Sequence, residues 1–132
     1  MKKKKTTAQL KKDLDKVFSQ YIRLKYSKNG MCKCVTCGKV DHWKSIQNGH
    51  YISRQYLSLR YSEINCHPQC VGCNVFKGGN YTAYALFMLN TYGQETLEEM
   101  EREKQKITKD FPYESKLEYY KEQVALLDDS VL

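Results

Sequence analysis

The ten residues NCHPQCVGCN, at positions 65–74, decide how this chain folds. Within them, Cys70 and Cys73 form a C-x-x-C pair, and Cys34 and Cys37 form a second pair earlier in the chain. Two such pairs supply four thiolates, which is a complete ligand set for a closed tetrahedral zinc site. We therefore expect these four cysteines to bind a structural zinc ion. The alternatives are buried free cysteines or a redox pair.

The composition favours one small domain with a polyanionic partner. The chain has 132 residues, with 22 Lys and Arg against 15 Asp and Glu, which gives a net charge of +7. Nucleic acid is the first candidate partner and an anionic membrane the second. No apolar run is long enough to span a bilayer, and no signal-peptide core follows the N-terminal lysines. We expect a cytoplasmic protein, whose reduced cysteines favour metal binding over disulfides.

Three zones divide the chain and predict an α+β fold. Residues 1–30 combine a basic tail with an amphipathic helix over 8–27 that ends near Asn29-Gly30. Residues 31–90 form the second zone, within which residues 31–80 hold every Cys and His and have poor helical periodicity, which indicates short strands and loops. Residues 91–132 form a helical extension. The lysines at positions 2–5 are either a solvated tail or a phosphate-binding arm.

Helices are predicted on the C-terminal side of the cysteine-rich zone. The pattern predicts an apolar helix over 81–92 ended by Gly93, a charged helix over 94–110, and an amphipathic helix over 113–127. Their apolar stripes favour a place in the core or at a dimer surface. Two further cysteines, Cys32 and Cys66, are interpreted as packing residues, although either could substitute for a metal ligand.

The polar residues around the cysteine pairs follow a known pattern. The motif C-x-x-C … G-H … N-x(4)-C-x-x-C-N-x-x-K resembles the HNH (His-Me finger) nucleases. The last His of that signature is Asn74 here, an H-N-N variant. The stretches GHYISR, HPQCVGCN and GGNYTAY more closely resemble the NinG/Rap family of phage recombination nucleases. The resemblance covers about residues 30–90 and implies a zinc-stabilised ββα-metal core flanked by helices.

That resemblance implies a metal-dependent DNA endonuclease that cuts branched recombination intermediates, of the Holliday-junction or D-loop type. His50 matches the general base, because a neutral His accepts a proton near physiological pH. Asn65 matches the residue that pins the loop and orients the base. Asn74 matches a ligand of the catalytic ion, and its amide oxygen suits Mg²⁺ or Mn²⁺ better than zinc.

One departure from the HNH pattern concerns the catalytic ion. Many HNH enzymes carry Asp or His before the base as a second metal ligand, and this chain has Gly49. His67 is our preferred substitute, with Asp41, His42 or a backbone carbonyl as alternatives. The other interpretation of His67 is a hydrogen-bonded turn residue before a proline.

The DNA contacts are predicted from three basic side chains. Arg54 is expected to clamp the scissile phosphate, and Arg60 and Lys77 to make further phosphate contacts. Arg60 could instead pair with Glu63, and Lys77 could be an exposed lysine. A four-way junction has two-fold character, so a homodimer is expected, with no membrane partner. The alternative functions are a non-catalytic zinc-knuckle DNA-binding protein and an adaptor that docks a partner protein.

Overall fold

The computed structural model describes residues 4–128, in an α+β arrangement of helices around two small sheets. The elements, in chain order, are α1 Thr7–Lys25, β1 Ser27–Lys28, β2 Met31–Lys33, β3 Val40–His42, a 3₁₀ turn Trp43–Ser45, β4 Gln47–His50, α2 Leu57–Arg60, β5 Cys66–Gln69, a single π-helical turn Gly72–Phe76, α3 Tyr81–Tyr92, α4 Gln94–Lys104 and α5 Tyr113–Leu127. Lys2 and Lys3 of the N-terminal lysine run lie outside the described residues. None of the helices within 4–128 is long and apolar enough to cross a membrane.

Helix α1 begins at a capping box in which Thr6 and Gln9 exchange side-chain-to-backbone hydrogen bonds. One face of α1 is buried, as its periodicity predicts. The predicted end was wrong, because the helix stops at Lys25. Asn29 and Gly30 have φ of 54° and 79°, and they form the two-residue loop of the β1–β2 hairpin. Asn-Gly with positive φ at both positions is the preferred loop of a tight hairpin.

Two antiparallel sheets carry the polar residues of interest. Strands β1, β2 and β3 form one sheet, and β4 pairs with β5 in the other, with His50 opposite Cys66. All four residues of β5 are buried. The segment after β5 is the π-helical turn Gly72–Phe76, so this hairpin is followed by one short turn before α3 begins.

The core consists of three clusters. In the first, α1 packs against α5, which brings together the first and last zones of the chain. The second surrounds the cysteine pairs with Trp43 and Ile46. The third joins the loop after β4 to α3 and α4 through Ile52, Tyr84 and Met100.

The C-terminal helices largely follow the sequence prediction. Helices α3 and α5 have the predicted bounds, and Gly93 ends α3 with a φ of 86°. Helix α4 stops at Lys104 and not at residue 110, and residues 106–112 are irregular. Asp110 lies in that segment with a φ of 52°, which interrupts any helix.

Candidate metal centre and candidate active site

The four predicted cysteines lie together. The Sγ atoms of Cys34, Cys37, Cys70 and Cys73 are all within 4.8 Å of one another, and no other such group of His, Cys, Asp or Glu occurs within residues 4–128. The Sγ atoms of Cys37 and Cys70 are 3.6 Å apart. Zinc–thiolate bonds in a tetrahedron place sulfurs about 3.8 Å apart. The predicted grouping is therefore confirmed, and these cysteines could bind a metal such as zinc.

Each cysteine pair lies in a turn that directs hydrogen-bond donors at sulfur. The hydroxyl of Thr36 lies 3.3 Å from the Sγ atom of Cys34. The backbone N–H of Cys73 donates to the Sγ atom of Cys70 at 3.4 Å, and the amide of Asn80 donates to Cys73 at 3.5 Å. Donors of this kind stabilise thiolates, the form that binds metal.

The electrostatics of the cluster favour a bound cation. Burial raises the pKa of Cys34, but hydrogen bonds from Thr36 and from backbone N–H groups outweigh it and lower that pKa to about 6. A hydrogen bond with the backbone of Lys39 lowers the pKa of Cys37, but burial and the three neighbouring sulfurs outweigh it and raise that pKa to about 12. Four thiolates so close repel one another, and a divalent ion relieves that repulsion. Cys32 and Cys66 are fully buried outside the cluster, as expected for packing residues.

Beside this cluster lies a groove of about 610 Å³. It brings together three of the predicted site residues, namely His50, Asn74 and Arg54. The rest of its lining includes polar and charged side chains that the sequence did not single out: Asp15, Ser19, Arg23, Lys44, Gln47, Asn48, Ser53 and Tyr81. Asn74 directly follows the metal-cluster residue Cys73, so the two sites share one turn of backbone.

The tautomer of the His50 ring follows from the one side-chain hydrogen bond that it makes within residues 4–128. Its Nε2 atom lies 2.8 Å from the carbonyl oxygen of Arg60. A carbonyl can only accept, so Nε2 carries the hydrogen and Nδ1 keeps its lone pair. Burial lowers the pKa of His50, and although the hydrogen bond to the Arg60 carbonyl raises it, the charges of Arg60 and Arg54 lower it further, so the net shift is downward. The ring is therefore neutral at pH 7, with Nδ1 available as a base.

Asn65 supports the segment that follows His50. Its Oδ1 accepts from the N–H of Ile52 at 2.8 Å, and its Nδ2 donates to the carbonyls of Ile52 and Leu59 at 2.9 and 3.1 Å. The backbone carbonyl of Asn65 also accepts from Tyr51. The side chain is fully buried and lies outside the groove lining. These bonds are of the kind expected of a residue that pins the loop.

Asn74 has a fixed amide orientation. Its Nδ2 donates to the Oε1 atom of Gln47 at 2.8 Å. With the amides of Asn74 and Gln47 in these orientations, the Oδ1 oxygen of Asn74 is left as an acceptor on the other side. An amide oxygen in this position is a suitable ligand for a hard cation.

The groove is positively charged. Arg23, Lys44 and Arg54 line it, and none of them forms an ion pair within residues 4–128. Its one lining carboxylate, Asp15, is bound by Arg60 through contacts of 2.9 and 2.6 Å. Burial raises the pKa of Asp15, but hydrogen bonds from Arg60 and a neighbouring tyrosine outweigh it and lower that pKa. Asp15 is therefore ionised and already neutralised.

Two residues that were predicted to contact DNA do not line the groove. The guanidinium of Arg60 is occupied by Asp15, and not by Glu63 as the alternative interpretation had it. Glu63 instead accepts from Lys25 and two tyrosines. Lys77 is exposed at the end of the π-helical turn and does not line the groove.

His67 is not brought to the groove, contrary to the prediction that it is a second ligand of the catalytic ion. The ring is fully buried. The Tyr84 hydroxyl donates to the carbonyl of Gly49 at 2.7 Å, so it accepts from the Nδ1 atom of His67 at 3.0 Å. The Nε2 atom then accepts from Tyr92 at 2.7 Å. Both nitrogens are occupied, and burial lowers the pKa of His67 to about 4.

The structure also explains why residue 49 is glycine. A Cβ atom at Gly49 would overlap the carboxamide of Gln69, which is fully buried and donates to Thr36 and Gly79. The space that a side chain at position 49 would need is thus filled by the Gln69 side chain. The other candidates, Asp41 and His42, do not line the groove either.

Several groove residues were not predicted from the sequence. Gln47 and Asn48 stand directly before the Gly-His pair, and strand alternation could have placed Asn48 on the face of His50. Arg23 and Asp15 come from α1, which reaches the groove only through tertiary packing.

Comparisons with known proteins agree on one family. Residues 1–129 match the family model described as Bacteriophage Lambda NinG protein. The chain is 38% identical over 71 residues to protein ninG of Escherichia phage 933W, an alignment that covers 52% of this chain and 34% of the relative. Over the same length it is 37% identical to protein ninG of Escherichia phage lambda and 34% identical to that of Salmonella phage P22.

The aligned part spans about a third of the length of these curated relatives. No solved structure matches this chain significantly. The family model covers nearly the whole chain, so this protein belongs to the NinG family of bacteriophage proteins.

Proposed function

We propose that this protein is a metal-dependent DNA endonuclease of the HNH type. The observation that carries the proposal is the neutral His50, whose Nδ1 lone pair is free, in a cationic groove that also holds Asn74. The β4–β5 hairpin and the turn after it present both residues. The four-cysteine cluster, bound to zinc, would fix that turn in place.

His50 acts as the general base in this proposal. Its Nδ1 atom takes a proton from the attacking water, and the imidazolium that forms stays bonded through Nε2–H to the Arg60 carbonyl. That carbonyl holds the ring in one tautomer and stabilises its positive charge. Asn65 keeps the following segment in place, so it is a positioning residue.

The phosphate is bound by groove cations that have no ion-pair partner within residues 4–128. Arg54 lies closest in sequence to the base and has no ion-pair partner within residues 4–128. Its guanidinium can bind a phosphate through two hydrogen bonds. Arg23 and Lys44 extend the positive surface and would hold neighbouring phosphates.

The catalytic ion would be held by Asn74. The groove offers neutral amide oxygens, which suit a hard ion such as Mg²⁺ or Mn²⁺, and no free carboxylate, so such an ion would keep most of its waters. A divalent ion there supplies charge stabilisation to the phosphate and to the leaving 3′ oxygen. With few protein ligands, we expect that ion to bind weakly without DNA.

Branched DNA of the Holliday-junction or D-loop type is the proposed substrate, and its processing in the host cytoplasm would serve phage recombination. The resemblance to phage recombination nucleases supports this choice. Symmetric cutting of a junction suits a homodimer. A non-catalytic zinc-knuckle DNA-binding protein is the second candidate, favoured by the cysteine cluster and the net charge alone.

The test compares cleavage of four-way junction, flap, duplex and single-stranded DNA at one salt concentration. Each is incubated with Mg²⁺, with Mn²⁺ and with neither ion, and the protein's zinc content is measured in every case. Metal-dependent cleavage of branched DNA is expected. Binding without cleavage under every condition would contradict the proposal and favour the second candidate.

A further inference from the structure

Phe76 is exposed on the turn of backbone that carries Asn74, outside the lining of the groove. It lies two residues after Asn74, at the end of the same π-helical turn, and 82% of its surface is accessible. Its ring contacts no other aromatic ring within residues 4–128. The fold gains little from such a side chain, since most of its apolar surface remains in water.

Tyr81 is a second exposed aromatic residue at this place. It lines the groove, and half of its surface is accessible. A Cβ atom at Gly79 would come within 3.0 Å of the Tyr81 ring, so the ring lies directly against that backbone. Gly79 has a φ of 102°, and no atom lies near a Cβ position at Gly78. Gly79 is buried under that ring, whereas the exposed Gly78 leaves open space on the surface between the two aromatic residues.

We propose that Phe76 and Tyr81 form a stacking site for unpaired bases of the DNA next to the phosphate that is cut. This inference rests on the proposed nuclease function and adds the substrate class, which is DNA with unpaired bases at the cleavage site. Every base carries phosphates on both sides, so a base-stacking ring needs cations nearby. Lys77 adjoins Phe76, and Arg54 and Lys44 line the groove with Tyr81.

The charges favour DNA over a protein partner. The centres of protein–protein interfaces are poor in lysine, whereas surfaces that bind single strands combine aromatic rings with a positively charged groove. In a paired duplex both faces of each base are covered by neighbouring base pairs. The two rings can therefore bind a base only where the duplex is interrupted, as it is at a branch point.

The test uses binding without added Mg²⁺ or Mn²⁺, so that no cleavage occurs. Three fluorescently labelled DNAs are compared: a duplex, the same duplex with a bulge of unpaired thymidines, and that bulge with abasic positions. The abasic bulge keeps every phosphate and removes only the bases. The proteins are wild type, Phe76→Ala, Phe76→Trp and the control Ile107→Ala, which truncates a side chain that is 87% exposed in the segment between α4 and α5.

The wild type should bind the thymidine bulge more tightly than the abasic bulge. Phe76→Ala should lose about 5- to 150-fold in affinity for the thymidine bulge, the range for removal of one stacked base, with little change for the abasic bulge. Phe76→Trp and Ile107→Ala should bind like the wild type. The melting temperature and zinc content should be the same in all four proteins.

Either of two binding results would overturn the stacking site alone. One is equal wild-type affinity for the two bulges, and the other is an unchanged affinity of Phe76→Ala for the thymidine bulge. A wild-type dimer that Phe76→Ala converts to a monomer in sedimentation, without DNA, would assign this surface to a second copy and also overturn the site. If the wild type binds none of the DNAs, the proposed nuclease function fails as well.

Discussion

The Nε2 atom of His50 lies 2.8 Å from the carbonyl oxygen of Arg60, and the guanidinium of the same Arg60 is bound by Asp15. The orientation of the proposed base therefore depends on α2, which carries Arg60, and on α1, whose Asp15 binds the Arg60 side chain. This relationship fixes the tautomer of His50 and leaves Nδ1 facing no donor within residues 4–128.

The pH dependence of cleavage should reflect the lowered pKa of His50. The ordinary histidine pKa is 6.5, and burial lowers it here, so the neutral base persists below that pH. We expect kcat/KM on a junction substrate to stay constant from pH 8 down to about 6.5 and to fall only at lower pH. The measurement is a pH–rate profile, with zinc content checked at each pH. A loss of activity that begins above pH 7 would contradict the assignment.

Arg54 and Arg60 should have separable roles. Arg54→Ala should weaken DNA binding and reduce the slope of log affinity against log salt by about one, because one phosphate contact is lost. Its melting temperature should not change, since the guanidinium has no ion-pair partner within residues 4–128.

Arg60→Ala is the matched comparison. It removes the partner of a partly buried carboxylate and should destabilise the fold by on the order of 1–3 kcal/mol. Thermal unfolding and salt-dependent binding of both variants test this division. A stable Arg60→Ala protein would show that the contact with Asp15 contributes little.

Removal of a metal ligand should lower the stability of the fold, and any loss of cleavage should follow from that loss of stability. Cys70→Ser should lower zinc content and melting temperature together, because the cluster then lacks one of its four thiolates. Cys32→Ser is the control, since Cys32 is buried outside the cluster and should retain the full zinc content. Zinc is measured by elemental analysis after gel filtration. Equal zinc loss in the two variants would show that Cys32 is also a ligand.

Gly49 should tolerate no side chain while Gln69 is present. Gly49→Ala is expected to destabilise the protein by about 1–3 kcal/mol, the usual range for overpacking a core, because the new Cβ overlaps the Gln69 carboxamide. Combined with Gln69→Ala, the same change should cost less than the sum of the two single changes. Urea unfolding of the wild type, the two single variants and the double variant measures this coupling. Strictly additive free energies of unfolding would mean that the Gln69 side chain is not what excludes a Cβ at position 49.

Local patterns were sufficient for part of the fold and for the metal cluster. The C-x-x-C spacing predicts the grouping of the cysteines, since each pair needs only one tight turn to aim both thiols. The helices were predictable where an apolar stripe is continuous, as in α1, α3 and α5. Asn29-Gly30 was misread because the same dipeptide suits both a helix end and a hairpin loop.

Longer-range contacts account for what the sequence did not reveal. His67 looks like a metal ligand beside Cys70, but Tyr84 and Tyr92 enclose it from a helix that begins fourteen residues later. Arg60 looks free until α1 places Asp15 against it. Arg23 reaches the groove through the packing of α1, and the residues around Arg23 in the sequence do not indicate that packing.

The most direct test of the central proposal is cleavage of a four-way junction by His50→Ala. Without the base, the cleavage rate should fall by about 10²- to 10⁴-fold, while DNA binding, zinc content and melting temperature stay close to wild type. His42→Ala is the matched control, because His42 is exposed and lies outside the groove, and it should cleave at the wild-type rate. Cleavage by His50→Ala at the wild-type rate would contradict the proposal that this groove is a nuclease active site.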